Sequence, residues 1–149
     1  MHGLLVPALL ALVAGCSTGA PTASLSSESD VTRAVLPGLE QRVTLTPSQP
    51  VTSQNVQIQS VITNRGSQAV ELQSRICGLD LGGDLELTFP PDFGVCAGHS
   101  MHGTIAPGES RGGSELQRVA SKPGTYTLRV RHALQPELWV EMRVVVRAP

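Results

Sequence analysis

The chain has 149 residues, which is enough for one domain of ordinary size. Hydrophobic residues make up 40% of it and aromatic residues only 3%, so a core has to be built mainly from Val, Leu and Ile, which pack well on pleated strands. The formal net charge of -1 leaves no basic excess to neutralise a row of phosphates, which argues against a nucleic-acid partner. The many Gly (15) and Pro (11) residues disfavour long helices and favour short strands joined by turns.

The beginning of the chain is typical of an export signal. Residues 4–13 form an apolar run that is too short to span a bilayer as a helix but long enough for the centre of a secretory signal. The preceding Met1-His2-Gly3 lacks the Lys or Arg that such signals usually carry. Leu12-Val13-Ala14-Gly15-Cys16 resembles the bacterial lipobox, in which small residues precede a cysteine that receives lipid.

The lipobox resemblance implies that residues 1–15 form a lipoprotein signal peptide and that Cys16 carries a palmitate-type lipid anchor. Two or three acyl chains hold a protein stably on a membrane. Ser17 resembles the residue found at this position in lipoproteins sorted to the outer membrane, which implies the periplasmic face or the cell surface of a double-membraned bacterium. The alternative is an ordinary cleaved signal that happens to contain a cysteine.

Residues 16–42 are expected to link the anchor to the folded part. Residues 17–30 are small, polar and rich in Ser, Thr and Pro, a composition that predicts a flexible tether. Residues 31–42 contain four apolar residues around Pro37-Gly38. They fit either a short turn of helix or a first edge strand, and the pattern does not decide between the two.

The segment 43–149 has the period-two alternation of an all-β domain. Turn signals such as Asn64-Arg65-Gly66-Ser67 divide it at the spacing of a two-sheet sandwich of about seven or eight antiparallel strands. The expected strands are 43–46, 54–63, 69–76, 85–89, 103–105, 114–119, 125–132 and 138–146. The apolar residues that alternate along these strands, and are expected on their inward faces, are Val56, Ile58, Ile62, Val70, Leu72, Leu85, Leu87, Phe89, Tyr126, Leu128, Val130, Leu138, Val140, Met142, Val144 and Val146.

Residues 123–130, Pro-Gly-Thr-Tyr-Thr-Leu-Arg-Val, resemble the penultimate strand of immunoglobulin-like modules, in which a tyrosine near the strand start hydrogen-bonds back across the corner. Residues 56–72 resemble the second and third strands of such modules in secreted bacterial proteins, and residues 107–110 resemble their Pro-Gly turn. The resemblance implies an immunoglobulin-like β-sandwich. It departs from antibody domains at Leu128, where they have a cysteine, and at Trp139, which falls in the last strand and not the third.

Cys77 and Cys96 are the two cysteines that remain if Cys16 is lipidated. Outside the cytoplasm such a pair usually forms a disulfide. The two positions are separated by 19 along the chain, and closing a loop of that length stabilises a fold by roughly 3 kcal/mol. We therefore predict a disulfide between them.

A metal site is the competing interpretation of the segment 96–102, which holds one Cys, two His and one Met. Sulfur and imidazole ligands suit copper. The segment resembles the ligand loop of blue-copper proteins, and His99-x-Met101 resembles the pairs of periplasmic copper carriers. The candidate ligands are His99, Met101 and His102, with His132 joining only if the fold brings it near.

Two further strings suggest chemistry, and a simpler interpretation is favoured for both. Gly108-Glu109-Ser110-Arg111-Gly112 matches the G-x-S-x-G of serine hydrolases, but no helix pattern follows it, and the motif needs a strand, a sharp turn and a helix. Residues 80–84, Asp-Leu-Gly-Gly-Asp, could offer oxygen atoms to calcium, but no ligand ladder follows. We expect a glycine-rich loop and a solvated turn.

The outer face of the last two strands is expected to carry Arg129, Arg131, Arg143 and Arg147 alternating with Glu137 and Glu141, as a solvated face of mixed charge. Trp139 has the same outward parity. It is the best candidate for contact with a partner, because tryptophans concentrate at interfaces, or it covers a sheet edge.

The sequence therefore predicts a non-enzymatic, lipid-anchored, extracytoplasmic module that binds an envelope protein or supports the envelope, without a cofactor. The alternatives are a metal-handling lipoprotein that uses the 96–102 loop, and an accessory or inhibitor module of an enzyme.

Overall fold

The computed structural model describes Ser27 and residues 30–74, 79–89, 101–132 and 139–149. Within these ranges the secondary structure consists of strands and turns, with no helix. The ten strands are β1 (Asp30–Leu36), β2 (Leu39–Thr46), β3 (Asn55–Asn64), β4 (Val70–Ser74), β5 (Leu79–Gly83), β6 (Leu87–Thr88), β7 (Met101–Ile105), β8 (Ser110–Val119), β9 (Gly124–His132) and β10 (Val140–Val146).

The strands form two main antiparallel sheets and one small strand pair. The larger sheet has the order β1-β2-β3-β8-β6, the second has the order β10-β9-β5, and β4 pairs with β7. If the edge strand β1 and the β4-β7 pair are set aside, β2-β3-β8-β6 against β5-β9-β10 is the ABED against CFG arrangement of immunoglobulin-like sandwiches. The expected fold class, an all-β immunoglobulin-like sandwich, is confirmed.

One apolar core lies between the two main sheets. It is built almost entirely from Val, Leu and Ile with one Met, as the low aromatic content requires. Alternate residues of β3, β9 and β10 supply half of it, namely Val56, Ile58, Ile62, Leu128, Val130, Val140, Met142, Val144 and Val146, all at most 2% exposed. Phe89, expected on an inward face, is instead 67% exposed. Strands that bury alternate branched side chains in this way are held by the apolar area that they remove from water.

The tyrosine expected at the start of the penultimate strand makes the corner contact of this fold. The hydroxyl of Tyr126, in β9, donates a hydrogen bond to the carbonyl oxygen of Lys122, four residues earlier, at 2.9 Å. This bond ties the start of β9 to the segment that leads into it.

Three expectations about the strands are corrected. Of the two alternatives for residues 31–42, the structure has the edge strand: they form most of β1 and half of β2, so strand pairing begins at Asp30 and not at Val43. Residues 79–83 form β5, which pairs with β9, so the solvated turn expected at 80–84 is mostly strand. Residues 70–74 pair with β7 and not with β9, so the third strand of the immunoglobulin order is β5.

Two glycines make β5 hard to recognise as a strand in the sequence, but the structure requires a glycine at position 83. Gly83 has a φ of 100°. A Cβ atom at this position would lie 2.1 Å from the carbonyl oxygen of Thr127. Only glycine fits this backbone conformation and this close approach.

Asn64 lies where three turns meet at one end of the sandwich, which we call the turn pole: residues 37–38, 65–68 and 106–109. Its side chain is fully buried. Its Nδ2 donates to the carbonyl oxygens of Gln68 (2.7 Å) and Ile105 (2.9 Å), and its Oδ1 accepts from the backbone N–H of Gly66 at 2.9 Å. Its backbone N–H donates to the Glu109 carbonyl at 3.0 Å. The Asn64 side chain thus satisfies backbone groups of the 65–68 turn and of Ile105. The 37–38 turn is held beside them by the N–H groups of Arg65 and Gly66, which donate to the Gly38 carbonyl.

Candidate functional site

Trp139 lies on the outer face of the three-stranded sheet, directly before β10. The register that pairs Val140 with Val130 brings Trp139 beside the outward side chains of β9. The guanidinium carbon of Arg131 is 4.7 Å from the centroid of the Trp139 ring, and that of Arg129 is 5.2 Å away. These are cation–π distances. The outward parity expected for all three residues is confirmed.

Each of these two arginines is also held by a carboxylate. Arg131 forms an ion pair with Asp80, which is the position paired with it on β5. The Nε of Arg129 lies 3.0 Å from an oxygen of Glu141 without the alignment of a hydrogen bond. We call the set of Asp80, Arg129, Arg131, Trp139 and Glu141 the Trp139 face. Its charges are balanced within the set, which agrees with the mixed-charge face expected from the sequence.

Gly82 provides the space for the indole ring. A Cβ atom on Gly82 would lie 3.5 Å from Cζ3 and 3.6 Å from Cη2 of Trp139, so the ring lies across the backbone of β5. The ring also lines an open groove of about 510 Å³ with Glu141 and with residues 33–35 of β1. Trp139 is therefore half-buried, and one side of it borders the gap between the two sheets.

His132, the outlying candidate for a metal site, points into the core. It is 5% exposed, and its Nε2 would lie 3.7 Å from a Cβ atom on Gly113 of β8. Burial lowers the pKa of His132 to about 4. In the part of the chain that the structure describes, no three His, Cys, Asp or Glu side chains come together as a metal would require.

The remaining metal candidates stay predictions. Met101 and His102 are in β7, which pairs with β4, whereas His132 is in β9 of the three-stranded sheet. His99 lies outside the described residues. If Cys96 is bonded to Cys77 as predicted, a copper site would have only His99, Met101 and His102 as ligands.

All three cysteines lie outside the described residues, so the acylation of Cys16 and the disulfide between Cys77 and Cys96 also stay predictions. Within the described ranges the structure contains no apolar helix long enough to cross a membrane.

The G-x-S-x-G string occupies a turn and the start of a strand. Gly108 has a φ of 78°, and the N–H of Glu109 donates to the carbonyl of Ala106 at 2.9 Å, as in a tight turn. Ser110 begins β8, and its hydroxyl lies 2.8 Å from that of Thr63 on β3. This differs from the strand, sharp turn and helix that present the serine of a hydrolase.

The sequence did not reveal a polar contact that crosses the core. Gln41 is fully buried in β2. Its Nε2 donates to the hydroxyl of Ser60 at 3.1 Å and approaches the Val130 carbonyl of the opposite sheet at 3.4 Å. The only signal for it was a polar residue at the inward parity between Leu39 and Val43.

The chain matches no family model and no curated protein. Among solved structures it is similar to the ASH / PapD-like domain of human CEP192 (PapD-like domain 7), with 10% sequence identity and a TM-score of 0.34. That match covers 80% of this chain and 90% of the other. The fold class of this protein rests on its own strand order and tyrosine corner.

Proposed function

We propose that the protein is a lipid-anchored, extracytoplasmic binding module, non-enzymatic, that contacts an envelope protein through the Trp139 face. The observation that carries the proposal is the stack of Trp139 with Arg129 and Arg131. Trp and Arg are the residue types that most often dominate the energy of protein interfaces.

The Trp139 face is also held in place before any partner arrives. Asp80 and Glu141 hold the two guanidinium groups, and the indole ring rests on the Gly82 backbone. Side chains that are already ordered lose little conformational entropy on binding, so more of the contact energy remains as affinity. Exposed ion pairs such as Arg129–Glu141 contribute little to the stability of a fold. Stabilisation of the domain is therefore a weaker explanation for the Trp139 face than binding.

The anchor is the sequence-based part of the proposal. Cys16 follows an apolar run and the small pair Ala14-Gly15, in the order that the lipobox requires. A lipid on Cys16 would confine the domain to a membrane surface, where a partner in the same envelope is met repeatedly.

Photo-crosslinking in the producing cells tests the binding surface. A photoreactive residue replaces exposed Thr127, on the outer side of β9, or, as a matched control, exposed Gln59 on the outer side of β3. We expect a discrete adduct from position 127, its loss when Trp139→Ala is added, and no such adduct from position 59. Equal adducts from both positions, or an adduct at 127 that survives Trp139→Ala, would contradict the proposal.

A further inference from the structure

Ser27 marks the point at which the N-terminal segment meets the folded domain. The backbone N–H of Val145, in β10, donates to the Ser27 hydroxyl oxygen at 2.7 Å. The same hydroxyl lies 3.5 Å from the Val145 carbonyl oxygen. One side chain thus occupies the backbone groups of Val145 at the edge of β10, and the chain joins the domain there before β1 begins at Asp30.

The last strand ends at the same end of the sandwich. The N–H of Arg147 donates to the Pro50 carbonyl at 2.8 Å, and the N–H of Thr52 donates to the Arg147 carbonyl at 3.2 Å. The N–H of Ser53 donates to the Val119 carbonyl at 2.8 Å. We call residues 50–53, 119–124 and 145–147 the anchor pole. The turn pole, organised by Asn64, is at the opposite end.

The two poles are separated by the length of β3. This strand runs from Asn55, beside the anchor pole, to Asn64 in the turn pole. At about 3.3 Å per residue, its ten residues place the poles about 30 Å apart.

We propose that in the acylated protein the anchor pole faces the lipid surface and the turn pole faces away from it. This inference rests on the acylation of Cys16 that is part of the proposed function. Residues 17–26 separate Cys16 from Ser27, and ten residues reach at most about 36 Å when fully extended. A chain with the flexibility expected of their composition spans about 17 Å on average.

An inverted domain would need the tether to run back along the whole sandwich. That path is about 30 Å long, close to the fully extended length of the tether, and few conformations of a flexible chain are so extended. The charged residues of the anchor pole are Lys122 and Arg147, both basic and exposed, with exposed Glu86 beside them. A lipid surface without net charge does not attract them, so on such a surface the orientation follows from the attachment point and is insensitive to salt.

The orientation also places the Trp139 face. Trp139 directly precedes β10 and is six residues before Val145, which puts it about 20 Å further from the attachment point. The proposed contact surface is then accessible to a partner that stands off the membrane.

Quenching by labelled lipids tests the orientation in the full lipoprotein. A fluorescent dye is attached through p-azidophenylalanine, which leaves the cysteines untouched, in place of exposed Lys122 at the anchor pole or exposed Ser67 at the turn pole. The protein purified from its membranes is placed in phosphatidylcholine vesicles that contain a lipid with a quencher on its headgroup. We expect at least twofold stronger quenching at position 122 than at position 67, at low and at high salt.

The outcomes separate the two proposals. A protein that floats with the vesicles but is quenched equally at both positions, or more strongly at 67, keeps its anchor and overturns the orientation. A protein that does not float with the vesicles lacks the anchor, and this result overturns the proposed function and the orientation together.

Discussion

The buried histidine of β9 makes the stability of the domain depend on pH. His132 faces Gly113 in the core, and its partner in the register of β5 is Leu79. Glu115, two positions along β8 from Gly113, has a carboxylate that accepts hydrogen bonds from the Leu79 N–H (2.7 Å) and from Gln117 (3.2 Å). Burial lowers the pKa of His132 from 6.5 to about 4.

Whether acid raises or lowers the stability of the fold depends on whether His132 binds its proton more readily in the folded or in the unfolded chain. Between pH 6.5 and 4 the unfolded chain holds a protonated His132 while the folded protein does not, so the free energy of unfolding falls as the pH falls through this interval. Each pH unit between the two pKa values corresponds to 1.36 kcal/mol, so the loss is about 3 kcal/mol when complete. Above pH 6.5 the contribution is fully present.

The measurement is urea unfolding followed by the fluorescence of Trp139, the single tryptophan, at pH values from 4 to 7.5. The parent is a chain that begins at residue 16 with Cys16→Ser, and the matched variant adds His132→Gln, which cannot titrate. We expect the parent to lose about 3 kcal/mol more than the variant between pH 7 and pH 4. A constant difference between parent and variant across this range would refute the assignment of a buried, neutral His132.

Three further substitutions test the packing. Gly83→Ala places a Cβ atom against the Thr127 carbonyl at positive φ and is expected to destabilise the fold by about 3 kcal/mol or to prevent folding. As a control, a Cβ atom in Gly103→Ala meets nothing within 4 Å, and this substitution should cost less than about 1 kcal/mol. Similar unfolding midpoints for the two variants would contradict this reasoning. Asn64→Ala removes the side-chain partners of Gln68, Ile105 and Gly66 backbone groups and should lower the free energy of unfolding in urea by about 3 kcal/mol; a loss below about 1 kcal/mol would show that these groups are held by other contacts. Tyr126→Phe removes the corner hydrogen bond and is expected to lower stability by about 1 kcal/mol, with an unchanged unfolding curve as the contrary result.

The long strands could be predicted from the sequence because each repeats its alternation many times. In β3 and β10 every second residue is an apolar residue that the structure buries, with Ser60 and Asn64 as the exceptions in β3. A slip of one residue in the register would turn all of the buried apolar side chains of a strand toward solvent, so the alternation has to be kept along the whole strand.

The short strand β5 could not be recognised in the same way. It has five residues, two of them Gly82 and Gly83. Both glycines are explained by contacts with distant residues, namely Trp139 across Gly82 and the Thr127 carbonyl at Gly83. Tertiary contacts of this kind override a weak local preference for strand.

Only part of the Trp139 face could be predicted from the sequence. The outward parity of Trp139, Arg129 and Arg131 follows from the alternation along each strand. The stacking depends on the register between β9 and β10 and on the position of Asp80 in β5, which no local pattern specifies. Asn64 shows the same limit, since a turn residue was evident but its partner Ile105 lies 41 positions away.

The central claim is that this sandwich acts at a membrane surface through lipid on Cys16. Mass spectrometry of the N-terminal peptide of the protein isolated from its own cells tests it most directly. We predict a chain that begins at Cys16, with the mass of a diacylglycerol on its sulfur, recovered in the membrane fraction. An unmodified Cys16 in a soluble protein that still carries residues 1–15 would contradict the account.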